Sequence, residues 1–256
     1  MFDLNAHIEL IQNNSRERLS LTDIDFISII LGRIPNSQIS SNCINELMKD
    51  PETRDIILDE PLLTNTVLEN YGKLRISSRL YYYILMRHLL KDFELDSREL
   101  ADYCAEMLTS FFQNKRILNS VISLHPAVFL QDLIYKLHNA DEFTKYRIRC
   151  HMANYALFVS GVFPEKIYFN DKADLNVFSS AIPPRIEYFE AIGILNFRKT
   201  LKFKWTKEHG RYDVYKLLGR HFRIVRLCLN VLSEHNMFQR EFDSNANEFL
   251  LTETLI

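Results

Sequence analysis

The residues best suited to chemistry lie between positions 147 and 190. Arg147, His151 and Tyr155 are spaced i, i+4, i+8, and Asn154 follows His151 by three. On a helix they share a face. Turned inward, that face places a cation, an imidazole and a carboxamide in an apolar interior, where polar groups need partners or a ligand. Glu187 and Glu190, on the next long helical stretch, are the acidic candidates for partnership. Two readings follow. Arg147, His151, Asn154, Tyr188 and Glu190 form a ligand-binding site of a helical-bundle enzyme or small-molecule binder, entered near the segment Asn170–Pro184. Alternatively, these groups satisfy one another and set helix register.

Charge gives a second candidate. Between Arg198 and Arg226 lie ten basic residues, opposed only by Glu208 and Asp213, a net of +8; the rest of the chain carries −10. Arg220, Arg223 and Arg226 recur every third residue along an apolar helical pattern, and Phe203, Trp205, Tyr212 and Tyr215 interleave with lysines. Such a surface suits an acidic protein, the phosphates and bases of a nucleic acid, or an anionic membrane face. The plainer alternative is internal compensation by the acidic remainder of the chain.

Other chemistries lack their residues. No Glu-x-x-His pair sits on a long helix, HExxH is absent, and the eight histidines form no ligand pair with each other or with cysteine, so no metal is expected. GxGxxG, GxxxxGK[ST] and GxSxG are missing, and no cofactor is expected. Ser160-Gly161 is half of a nucleophile elbow, at a helix end rather than on a strand-to-helix turn. No catalytic residue is assigned, and neither enzymatic activity nor oligomeric state follows from the sequence.

The elements that must position these residues are helical. Six glycines and seven prolines in 256 residues are too few turn-formers for an all-β chain. Helices are expected at Phe2–Ile11, Leu21–Leu31 (capped by Ser20 or Thr22), Gln38–Met48, Leu62–Tyr71 after Pro61, Ser77–Phe93, Glu99–Gln113 and Ala127–His138 after Pro126. Pro51 and Pro61 bracket a short helical turn, and Asn114–Leu124 is ambiguous. Ser77–Phe93 is apolar nearly all round, as a central helix is. Three consecutive tyrosines, Tyr81 to Tyr83, oblige at least one ring to face the core. The helix from Asp141 to Ser160 is the expected organiser, ended by Gly161 in a left-handed cap. Arg185–Trp205, with a kink at Gly193, and Tyr212–Asn236 complete the set. Asn170–Pro184 reads as a loop and the tail 242–256 as loosely held.

The stretch HMANYALFVSGVFPEKI, followed by RIEYFEAIG, resembles a family of uncharacterised bacterial helical proteins. That family carries His-x-x-Asn-Tyr/Phe-x-Leu-Phe-x-Ser-Gly-x-Phe-Pro and then Tyr-Tyr-Glu-x-x-Gly. ISSRLYYYILMRHLL and FRIVRLCLNVLSEHNMF are similar to it as well, so the resemblance covers roughly residues 60–240. Ala153 stands where the family has glycine, and the loop before Pro183 lacks its basic residues. The resemblance implies a shared fold and a bacterial source, and no activity. It singles out Arg147, His151, Asn154, Ser160, Tyr188 and Glu190.

The resulting expectation is an all-α, single-domain helical bundle of about nine helices around the helix near 141–160, with a possible small N-terminal subdomain, 1–71. Cys43, Cys104, Cys150 and Cys228 form no CxxC pair and read as reduced thiols. No apolar run is long enough to cross a membrane and no leader segment is visible, so a cytoplasmic protein is expected. The leading functional expectation is a non-catalytic interaction module that binds an acidic partner at 198–226.

Overall fold

Local capping chemistry sets where the helices begin. The computed structural model describes residues 10–12, 14–34, 40–70, 73–122, 126–168 and 185–234. The chain is all-α, with thirteen α-helices and no strand among the described residues. It divides into two compact units, one built on residues 14–109 and the other on 110–231. The Asn170–Pro184 loop, the 242–256 tail and nearly all of the expected helix Phe2–Ile11 lie outside the described residues.

The first unit opens with a 3-10 turn, Ser15–Glu17, followed by α1 (Leu21–Leu31), α2 (Ser41–Leu47), α3 (Pro51–Leu58), α4 (Pro61–Glu69), α5 (Ser78–Asp92) and α6 (Arg98–Gln113), which runs past the unit boundary. Ser20 caps α1 in a reciprocal capping box with Asp23. The other oxygen of Asp23 accepts the Ser77 N–H at 2.7 Å, which joins the start of α1 to the start of α5. Pro51 and Pro61 each occupy the first turn of their helix, where a missing N–H costs nothing. Ser97 Oγ accepts the Leu100 N–H and starts α6. The middle helix is α5, with ten of its fifteen residues buried, all three tyrosines among them.

The second unit contains α7 (Lys115–Ile122), α8 (Pro126–His138), α9 (Glu142–Val162), α10 (Glu165–Tyr168), α11 (Ile186–Thr200), α12 (Lys204–Glu208) and α13 (Tyr212–Glu234) up to Val231. The ambiguous segment after Asn114 is thus helical, started by an Asn114 side chain that accepts the Ile117 N–H. Asp141 caps α9 through the N–H groups of Phe143 and Thr144. Fifteen of the 21 residues of α9 are buried, and α8, α10 and α11 pack on it, so it is the organising helix of its unit.

Two glycine assignments are corrected. Gly161 does not cap α9; the helix continues to Val162, and a Cβ at 161 would lie 2.6 Å from Leu229 Cβ. Gly193 does not kink α11, which runs through it unbroken; a Cβ there would run into the Phe222 ring. Both glycines mark close approach between helices. The departure from helical geometry falls instead in α13, at His221 (φ −113°, ψ 22°).

Candidate functional site

His151 and Glu190, two of the residues expected to form one site, have different neighbours. His151 is buried, its ring centre 5.7 Å from Phe111 and 5.9 Å from Phe129. One turn on, Tyr155 lies 4.5 Å from the same Phe129, and its hydroxyl is hydrogen-bonded to Ser120 Oγ at 3.0 Å. Burial pushes the Tyr155 phenol well above its ordinary range; the bond from Ser120 only partly opposes this. Asn154 is buried beside them and Arg147 half-buried. His151 therefore belongs to an aromatic environment supplied by α6 and α8.

Glu190 is engaged elsewhere. Its Oε1 accepts Arg226 Nε at 2.7 Å. Arg226 Nη1 donates to Asn230 Oδ1 at 2.5 Å, and Asn230 Nδ2 donates to the carbonyls of Ser160 and Gly161 at 3.1 and 2.8 Å. Glu190 thus reaches α9 through Arg226 and Asn230 at its C-terminal end, rather than at the His151 ring. Tyr188 is half-buried, with its phenol raised by burial and its ring edge-on to Phe189. Ser160 Oγ donates to Ala156 O at 2.6 Å within its own helix, a bond that serves the backbone.

The cations at 198–226 also separate. Arg198, Lys202, Lys204, Lys207, Arg220 and Arg223 are exposed. Arg226, at 7% exposure, is not on that surface, and Arg211 is buried too. Beyond the non-helical His221, a repeat of three lags a 3.6-residue turn by about 60° per step, which turns Arg226 away from the exposed face of Arg223. The carbonyl of Gly219 accepts Arg198 Nε at 3.3 Å. Lys204 and Lys207 lie 5.4 Å from the ring centres of Trp205 and Tyr212. The aromatics are largely committed to packing: Trp205 lies within 6.2 Å of Phe143, Tyr146 and Phe203, and Tyr215 is fully buried.

The first unit holds a set of buried charges that sequence reasoning missed. Asp59 receives a two-pronged pair from Arg87 (2.9 and 3.0 Å), Arg98 Nη2 at 2.7 Å and Lys91 Nζ at 3.3 Å. Burial opposes ionisation of Asp59, but the hydrogen bonds and charge of Arg87, with Arg98 and Lys91, outweigh it and hold its carboxyl at about 2. A second knot joins Glu106 to Arg79 Nε at 2.8 Å and Ser15 Oγ at 3.1 Å. Beside it, Asp102 accepts the Arg16 N–H at 2.8 Å, while the Arg16 guanidinium reaches Asp55 at 2.5 Å. Burial pushes Asp102 up to about 6 against the Arg16 N–H and charge, and Glu106 adds to the rise. The available signal was Asp102 and Glu106 at i, i+4 within the apolar pattern of α6, an arrangement that demands buried partners.

Cys104, Cys150 and Cys228 are buried and Cys43 is exposed; all four are free thiols. Burial pushes the Cys150 thiol up to about 11, despite bonds to Tyr215 and Tyr146 that oppose the rise, so it is a poor nucleophile at neutral pH. Among the described residues no group of three His, Cys, Asp or Glu side chains is placed to hold a metal ion, and no helix is long and apolar enough to cross a membrane. Compared with protein-family models, curated proteins and solved structures, the chain has no match.

Proposed function

We propose that this chain is a non-catalytic interaction module that binds an acidic protein surface through the exposed cations of its second unit. The observation that carries this reading is six exposed basic side chains between Arg198 and Arg223, with one ion pair among the described residues, Lys204 to Glu208 at 3.9 Å. Charges so placed steer an oppositely charged partner and set its orientation. An acidic protein is favoured over single-stranded nucleic acid because Trp205 and Tyr215 are packed against neighbouring rings, leaving little open aromatic surface for base stacking. Arg226 is left out, being committed to Glu190. A cytoplasmic setting belongs to the same reading and is supported by three buried free thiols.

The test uses two probes, poly-L-glutamate and an oligo-dT single strand, in low and moderate salt. Wild-type protein is expected to bind polyglutamate with an affinity that falls as salt rises. R220E/R223E is expected to lose that binding with its helical circular dichroism intact. Polyglutamate binding unaffected by the double reversal would sink the proposal. A preference for the oligonucleotide would replace the partner class.

A further inference from the structure

A separate feature of the second unit points to a small ligand. A cleft of 410 Å³ lies where the end of α8 meets the first turns of α9 and the α11–α12 connection. Leu137, His138, Glu142, Lys145, Arg149 and Phe203 line it. Its volume falls in the range of small-molecule sites, which combine apolar walls with a few placed polar groups.

Arg149 decides the chemistry. Its Nη1 donates to the neutral Asn196 Oδ1 at 3.0 Å, and Asn196 is itself fixed by donating Nδ2 to Ile192 O at 2.9 Å. No carboxylate lies within ion-pair distance of Arg149 among the described residues, although the group is half-buried and its burial disfavours the charge. Glu142 partly offsets that burial through its charge, but its ion pair is with Lys145 at 2.8 Å. Leaving His138 aside, the lining carries two cations and one anion, so one positive charge is uncompensated. His138 donates Nδ1–H to Ile134 O at 2.9 Å, which leaves Nε2 for another partner. Leu137 and Phe203 add apolar wall, and Phe203 stacks on Trp205 with ring centres 6.2 Å apart.

We propose that this cleft binds a small organic oxyanion: a carboxylate or phosphate head on the Arg149 guanidinium, with an apolar body against Phe203 and Leu137. A guanidinium held at one nitrogen still offers donors in a planar fork, which matches either head group. Asn196 is a positioning residue that orients the fork. The inference stands independently of the acidic-partner reading, because the exposed residues Arg220 and Arg223 do not line the cleft.

The experiment titrates full-length protein with benzoate and, separately, phenyl phosphate at fixed ionic strength, following heat and the emission of Trp205, the chain's one tryptophan. Saturable binding is expected in the millimolar range or tighter. R149M is expected to weaken it at least tenfold, whereas K73A, which removes an exposed lysine elsewhere, leaves it unchanged. Binding of benzoate alone assigns a carboxylate head, phenyl phosphate alone a phosphate head, and both the shared oxyanion chemistry. If R149M fails to fold, R149K retains the charge without the fork and is expected to bind several-fold more weakly. Absence of saturable binding by the folded wild-type protein overturns the proposal, as does an Arg149 variant that binds like wild type.

Discussion

Replacing Asp59 by asparagine tests the buried charges of the first unit. The substitution leaves Arg87, whose side chain is 5% exposed, without its two-pronged partner, and deprives Arg98 and Lys91 of their shared carboxylate. Removing one member of a buried pair costs about 3–5 kcal/mol. Asp96 still reaches Arg87, and Asp59 is 14% exposed, so the lower end applies: about 3 kcal/mol. Because the chain has two units, a single global melt is a poor gauge; amide hydrogen exchange across α5 isolates the effect. A loss of about 3 kcal/mol speeds exchange there by roughly a hundredfold. The pH dependence carries an independent sign. The carboxyl is held at about 2, below its unfolded value, so its stabilisation is present above about pH 4 and lost as pH falls through 4 toward 2. In D59N that acid-sensitive component, about 2 kcal/mol, is expected to vanish. Adding R87M should restore part of the protection by removing the stranded charge. Exchange accelerated less than about threefold, with the acid profile unchanged, would refute the reasoning.

Asp102 has the opposite sign. With its carboxyl raised to about 6, the folded state holds a proton that the unfolded chain releases, so stability falls as pH rises from about 4 through 6. D102N, which can still accept the Arg16 N–H, is expected to flatten that slope and to be no less stable than wild type at pH 8, as exchange across α6 would report. G193A inserts a methyl into the Phe222 ring and is expected to cost about 2 kcal/mol, read by amide hydrogen exchange across α11; F222L in the same chain should recover most of it. Failure of the second change to rescue the first would reject the packing account.

Local grammar made most helices legible. Ser20, Pro61, Pro126 and Asp141 begin helices because their preferences act within a turn of themselves. The all-round apolar character of α5 marked it as central for the same reason. What escaped depends on partners distant in sequence. Arg16 meets Asp102, and Arg87 meets Asp59, across 86 and 28 positions that no periodicity connects. Gly161 and Gly193 were misread because a glycine that ends a helix and one that admits a neighbouring side chain carry the same letter. Arg149 lies about 200° from His151, off the face on which the spacing of Arg147, His151 and Tyr155 stands out, and its partner Asn196 is 47 positions away. Arg226 was grouped with Arg220 by a repeat of three that drifts off the face.

The bond from Asn230 to the last carbonyls of α9 has a consequence for the order in which the chain acquires structure. Helix ends usually draw on residues a few positions away, so they can close as soon as they are synthesised. Here the group that satisfies Ser160 and Gly161 lies 70 and 69 residues downstream. During synthesis from the N-terminus, the early turns of α9 have their Asp141 cap at once, while the final turn must wait for α13. The buried segment around Ser160 should therefore be the late-forming part of its own helix, completed by long-range docking rather than by local propagation.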